Sequence, residues 1–312
     1  MLAPHRCIPM VLAPMTGTAR FLPHAVMTAL ITIWSASFVV SKVALQSLSP
    51  FALVATRFWI AVLCLLPFVL RRNVLADLRA AFLPGLFAGS ALSTGYLLQM
   101  AGMTGTSASM GGLLAGLIVP LVALGGFLFF RAPMGAKSIA GLVLAIAGIA
   151  TICWPSQAAA NGTQDTLRGI LLQIGSSCSY AAHVLLLSRF GRSAPIAAFA
   201  TWQLVVTALA GTVAVLLVGE FAAAPATRVT WNGELLFAIG YLSVLATAVG
   251  IGVQSLVQHK VPSTHLALLF ALQPLIAALC GALLQGDHLG TTQLLGGALI
   301  VLGVVVTSLD RS

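Results

Sequence analysis

Ten stretches of this chain are each apolar enough and long enough to cross a lipid bilayer, and that pattern decides the fold class. Crossing the hydrocarbon takes about 20 predominantly apolar residues in a helix. Such runs lie at 22–44, 51–70, 81–101, 106–130, 138–154, 168–188, 196–219, 233–257, 262–284 and 290–309, numbered here as spans 1 to 10. The longest connections, 155–167 and 220–232, leave no room for a separate soluble domain. Strands of a membrane barrel would alternate polar and apolar residues over about 10 positions, whereas these runs are continuous. The chain reads as an all-α polytopic membrane protein. Charge agrees: 7% of the 312 residues are charged, against about 25% in a soluble domain. The mean hydropathy is +1.05. Too few solvated side chains remain to cover a water-facing surface, which excludes a soluble globular or disordered protein.

The 15 basic and 6 acidic residues give a formal net charge of +9. The basic residues are scattered, with only Arg71 and Arg72 adjacent, so nucleic acid is excluded as a partner. Their distribution instead sets orientation, because Lys and Arg accumulate on the cytoplasmic side. With the N-terminus inside, 11 basic residues face the cytoplasm. Lys42, Arg168 and Arg228 face outward, and Arg57 lies within span 2. Both termini are then cytoplasmic in a cytoplasmic (inner) membrane protein. Residues 1–20, with Pro4, Pro9 and Pro14, read as a cytoplasmic tail rather than a signal peptide.

The sequence also repeats. Ala108-Ser109 has a counterpart in Pro262-Ser263, 154 residues later, and Pro120, Leu121 and Ala123 fall on Pro274, Leu275 and Ala277. Gly141 and Gly148 fall on Gly296 and Gly303 after a one-residue slip, and Ser37-Phe38 resembles Ser179-Tyr180. Each half, 21–154 and 168–312, holds five spans, with 155–167 as an outer linker. An odd number of spans sends the second half through the membrane upside down. Inverted repeats of this kind place a substrate site near the midplane between the halves and suit alternating access.

Several motifs resemble those of the drug/metabolite transporter superfamily, EamA-type branch. They are Trp34-Ser-Ala-Ser37-Phe38 followed by Lys42-Val-Ala-Leu45, and Pro50 seven residues before Arg57-Phe58. Thr106-Ser-Ala-Ser109, Gln273-Pro274, Gly286-Asp287 and the closing Gly297-Ala-Leu-Ile-Val-Leu-Gly303 complete the set. The resemblance covers residues 24–309. Arg131-Ala-Pro133 and Asp287 stand where the family often carries Glu after spans 4 and 9. The resemblance implies transport of small metabolites, and one subgroup exports amino acids, aromatic ones included.

Polar side chains within spans mark either a pathway or interhelical contacts. In span 6, Gln173, Ser176, Ser177, Tyr180 and His183 recur at three- and four-residue steps. Span 1 offers Trp34, Ser37 and Ser41; span 3 offers Ser93, Tyr96 and Gln99. Span 8 offers Thr247 and Gln254, and span 9 offers His265 and Gln273. Spans 5 and 10 are almost wholly apolar, which puts them outside the cavity and available for a homodimer contact. The candidate substrate-binding set is Trp34, Ser37, Ser41, Tyr96, Gln99, Ser176, Tyr180, His183, Gln254 and His265. The two histidines either bind substrate or a proton, or serve as neutral hydrogen-bonding groups between helices. Arg57 either snorkels, bonds carbonyls between helices or contacts substrate; Lys42 is expected to snorkel.

No Asp or Glu lies in the central part of a span, so a carboxylate proton relay has no candidate. Intramembrane aspartyl proteolysis, HExxH metalloproteolysis and a GxSxG elbow likewise lack their residues. The five cysteines show no CxxC spacing and read as buried hydrophobes, with no cofactor or metal expected. The pattern points to a secondary transporter that exports small metabolites, amino acids first, with drugs or vitamins as the alternative solutes. Phosphorylated sugars would need paired intramembrane cations, for which only Arg57 and Lys42 are candidates. A membrane-embedded enzyme is the remote alternative.

Overall fold

A computed structural model describes residues 17–69, 74–131, 133–153, 165–190, 195–218, 231–257, 261 and 263–309. Most of the tail 1–20, Cys7 and most of the linker 155–167 lie outside the described residues, as does the side chain of His265. The described residues form helices with no strand among them. They are α1 (Gly17–Ala44), α2 (Pro50–Val69), α3 (Val74–Met103), α4 (Ala108–Ala115), α5 (Ile118–Phe130), α6 (Ala136–Cys153), α7 (Leu167–Phe190) and α8 (Ile196–Val218). Then come α9 (Gly233–Gly240), a π-helical segment (Tyr241–Val249), α10 (Gly250–Val257), α11 (Ser263–Gln285) and α12 (Thr291–Ser308). In lipid every backbone group must be satisfied internally, which helices accomplish. Among the described residues, nine helical stretches are long and apolar enough to cross a membrane, and the apolar run Leu269–Gln285 of α11 supplies a tenth.

Two spans are not regular. Span 4 breaks at Gly116–Leu117 between α4 and α5. Pro120 has no N–H to offer the carbonyl four residues back, and Gly116 turns its own N–H to Leu113 O at 3.1 Å, a tighter three-residue step. Span 8 runs as α9, the π segment and α10, widening the helix by roughly one residue per turn.

The helices pair in an order that exchanging each span with the one five further on leaves unchanged. The α4–α5 span meets α11, and α6 meets α12, each span packing on its own counterpart. The α3–α7 contact has its mate in α1 against the π segment, and α3–α8 has its mate in α2 against the π segment. In the α4–α11 crossing Ser109 reaches Ala278, Gly112 abuts Ala277, and Gly116 faces Pro274. The numbers run in opposite directions, so counterparts are antiparallel. With spans 2 and 7 paired as counterparts, Pro50, Ala52, Ala55 and Thr56 match Pro195, Ala197, Ala200 and Thr201 at one offset of 145 residues. Gly95-Tyr96-Leu97 and Gly240-Tyr241-Leu242 match at the same offset. The chain is a ten-span bundle of two inverted repeats.

With lipid outside, small residues rather than hydrophobic burial bring such helices together. On α6 and α12 the faces of Gly141, Gly148, Gly296 and Gly303 interlock, while Val143, Ile146, Leu295 and Leu302 face outward. The Gly85/Gly89 and Gly112/Gly116 pairs likewise meet Trp202, Val206, Ala277 and Pro274 on neighbouring helices. Cysteine placement departs from the sequence reading: Cys178 is exposed on the outer face of α7, and Cys64, Cys153 and Cys280 are only half-buried.

Candidate functional site

Four of the ten candidate residues come together where α3 and α7 cross. Gly95 makes room for the ring of Tyr180, which a Cβ there would meet at 2.7 Å. Ser176 donates to the Gly95 carbonyl at 2.9 Å, and the Tyr180 hydroxyl donates to Gln99 Oε1 at 3.1 Å. Gln173 donates to the Gln99 carbonyl at 3.3 Å and to Thr106 Oγ1 at 3.4 Å. Tyr96 stands edge-on to both Tyr180, with centroids 5.4 Å apart, and Phe58 of α2, at 4.7 Å. Such T-shaped pairs add about 0.5–1.5 kcal/mol beyond burial.

Arg57 joins this group: of the three alternatives left open by the sequence, its contacts are neither those of a snorkelling side chain nor those of one bonded to carbonyls. It is 3% exposed. Its Nε–H donates to Thr247 Oγ1 at 2.6 Å and its Nη2 to the Tyr96 hydroxyl at 3.2 Å. The guanidinium carbon lies 4.8 Å from the centroid of the Tyr96 ring. Thr247 belongs to the π segment and donates its own proton to Leu242 O at 2.7 Å, which leaves its oxygen free to accept from Arg57. Sequence reasoning marked Thr247 only as one of a polar series. The signal that joins it to Arg57 is spatial.

The remaining candidates are placed elsewhere. Trp34 donates to Ala246 O at 2.8 Å and stacks on Phe270 with centroids 6.3 Å apart, so it belongs to the contact of α1 with the π segment and α11. Ser37 bonds back to its own helix at Trp34 O, and Ser41 is buried on α1. His183 faces α8, its Nε2 lying 2.7 Å from Gln203 Oε1. Gln203 donates its amide to Phe199 O, which leaves that oxygen to accept and makes His183 Nε2 the donor. Ser177 turns to Leu114 O on α4. The polar series of span 6 is therefore shared among α3, α4 and α8. Gln254 lies half-buried on α10, and the backbone of His265 belongs to α11.

At one end of the bundle a second polar network ties the halves. Lys42 does not snorkel; it donates to Met103 O and Thr106 O, both at 2.9 Å. Asp165 accepts from Ser107 N at 2.6 Å and from Gln293 Nε2 at 2.8 Å, and Asp287 accepts from Ser109 N at 2.9 Å. Two carboxylates thus meet the N-terminal turn of α4, where the helix dipole favours negative charge. Burial nevertheless holds the Asp165 carboxyl above its ordinary range, outweighing the hydrogen bonds from Ser107 and Gln293. A surface hollow of about 480 Å³ lined by Val43, Gln46, Gly233, Glu234 and Phe237 lies apart from the aromatic group. Among the described residues no cluster of three His, Cys, Asp or Glu side chains could hold a metal ion.

The model of the EamA-like transporter family matches residues 24–154 and again 167–309. An uncharacterized transporter of Archaeoglobus fulgidus is 25% identical over 293 residues, covering 94% of this chain and 88% of that one. A protein named a probable amino-acid metabolite efflux pump in Escherichia coli is 27% identical, covering 88% of this chain and 91% of its own length. Its namesake in Salmonella typhimurium is 25% identical with the same coverage. A solved crystal structure shares the fold with a TM-score of 0.62 at 18% identity, over 93% of this chain and 96% of its own.

Proposed function

Since the chain belongs to the EamA-like transporter family, we propose that it exports small metabolites, neutral and aromatic amino acids first among them, across the cytoplasmic membrane. The observation that carries this reading is the aromatic and polar group of buried Phe58, Gln99 and Arg57 with half-buried Tyr96 and Tyr180. It lies where α2 and α3 of one half meet α7 and the π segment of the other. Arg57 is seven residues into α2 and Tyr96 seven from the end of α3, about 10 Å from the same end of the bundle at 1.5 Å per residue. The rings offer apolar and π contact to a side chain, while amide and hydroxyl groups offer hydrogen bonds. The names of the two enterobacterial relatives point the same way.

Transport proceeds by rocking of the halves, 21–154 and 168–312, about this group. The 11-to-3 division of basic residues supports cytoplasmic termini. The outward-facing Val143, Ile146, Leu295 and Leu302 supply the surface for a homodimer through α6 and α12. The test is counterflow: proteoliposomes loaded with unlabelled phenylalanine should accumulate radiolabelled phenylalanine, and Tyr96→Ala should reduce the rate at least tenfold. Absence of counterflow with every amino acid would remove the substrate assignment.

A further inference from the structure

Arg57 is a buried charge whose contacts do not neutralise it. Its hydrogen-bond partners, Thr247 Oγ1 and the Tyr96 hydroxyl, are uncharged, and the Tyr96 and Phe58 rings add only quadrupole attraction. Among the described residues, Nη1 has no hydrogen-bond partner. The described carboxylates sit at span ends: Asp77 in the first turn of α3, Asp165 just before α7, Glu234 in the first turn of α9 and Asp287 just after α11. Removing a cation from water is costly, and within a span such a residue ordinarily faces a partner or a water-filled path. Among the described residues no carboxylate bonds to Arg57.

Two hydroxyls on the same elements have protons with no acceptor among the described residues. The Tyr96 oxygen accepts from Arg57, so its own proton is available to donate. Ser243 lies one turn before Thr247 on the π segment, is fully buried, and among the described residues carries the one buried side-chain polar atom without a hydrogen-bond partner. A buried hydroxyl left unpaired is destabilising. The repeat sharpens the point, because the residue matching Arg57 at the 145-residue offset is Trp202, whose Nε1 donates to Leu78 O. One half supplies a cation and the other does not.

Resting on the transport reading, we propose that Arg57 is the anchor for a single carboxylate on the transported solute. The site therefore takes carboxylic acids with an apolar or aromatic body, and an amino group is not required. Guanidinium and carboxylate pair through two parallel N–H···O bonds, which Nη1 and the second Nη2 proton can supply. Tyr96 and Ser243 donate to the remaining lone pairs.

The experiment uses the full chain in proteoliposomes and competes radiolabelled phenylalanine counterflow with phenylacetate, phenethylamine or phenylethanol. Phenylacetate is expected to compete at least tenfold better than phenethylamine or phenylethanol. Arg57→Gln should abolish that preference, and Arg57→Lys should retain part of it. Equal competition by acid and amine in the unsubstituted protein overturns the anchor whether or not any variant folds, as does an Arg57→Gln protein that keeps the preference. Thermal shift of the purified protein with phenylacetate separates this from the export reading. Stabilisation that depends on Arg57, without counterflow, keeps the anchor and removes export. Counterflow of phenylalanine with no dependence on Arg57 does the reverse.

Discussion

Adding one methyl group to the contact between α6 and α12 should be enough to destabilise the bundle. A Cβ built on Gly148 would lie 2.6 Å from the Gly296 carbonyl oxygen and 2.8 Å from Ile300 Cγ1, and a Cβ on Gly296 would lie 2.6 Å from the Gly148 carbonyl. Carbon–oxygen contacts in packed helices sit at about 3.3–3.6 Å, so Gly148→Ala requires the two backbones to part by roughly 0.7–1 Å. A gap of 0.5–1 Å forfeits about a quarter to a half of the dispersion well along the interface, and such overpacking is destabilising by about 1–3 kcal/mol. Gly148→Ala and Gly296→Ala should each lower the thermal midpoint in detergent, read by fluorescence-detected size-exclusion chromatography. The double variant should lose less than the sum, because the helices need part only once. Gly252→Ala is the control, since nothing lies within 4 Å of a Cβ there. Unchanged midpoints for both single variants, or an equal loss in the control, would refute the close-approach argument.

Two other perturbations have worked directions. Burial raises the Asp165 carboxyl above its usual range, so its contribution to stability is complete below the ordinary aspartate value of about 3.9 and is lost as pH rises through the raised value. The midpoint of the unsubstituted protein should therefore fall, relative to that of Asp165→Asn, between about pH 4 and neutrality, and a flat or rising difference would contradict the burial argument. Trp34→Phe removes the hydrogen bond to Ala246 O but keeps the stack on Phe270, a loss of about 0.5–1.5 kcal/mol. Trp34→Ala should lose about 3–5 kcal/mol, and equal losses in thermal unfolding would show that the stack contributes nothing.

The spans were legible because hydrocarbon demands long apolar runs, and most helix ends fall within two residues of the runs read from the sequence. The exceptions are α1, which starts at Gly17 rather than 22, and α3, which starts at Val74 rather than 81. The first two turns of α3 carry Asp77 and Arg79, both exposed, so hydropathy stops where the helix continues. Pro120 was a visible warning of the break at Gly116, whereas Tyr241–Val249 contains no proline or glycine to announce a π segment. The polar series of span 6 shows what periodicity leaves open. At 3.6 residues per turn, Gln173 through His183 cover an arc of about 120°, broad enough to meet α3, α4 and α8 together. Spacing identified the face but not its neighbours. Arg57 was visible as a charge in a span, but its fate turned on Thr247, 190 residues away.

The two halves share a backbone plan but not a chemistry, and the difference falls at Arg57 and its matched position, Trp202. Tyr96 and Tyr241 occupy matching positions in the repeats, yet Tyr96 accepts from Arg57 while Tyr241 donates to Ile33 O on α1. Trp202, in the place of Arg57, packs edge-on against Phe82 and bonds the start of α3. Arg57 bonds Tyr96 near the end of α3 and Trp202 bonds Leu78 near its start, about 27 Å apart at 1.5 Å per residue, so inversion puts the two matched positions at opposite ends of the bundle. A single guanidinium among aromatic rings, if it is the anchor proposed above, should favour one carboxylate on an apolar body over multiply charged solutes. On that proposal, selectivity rests on a cation that one half carries and the matched position of the other half lacks.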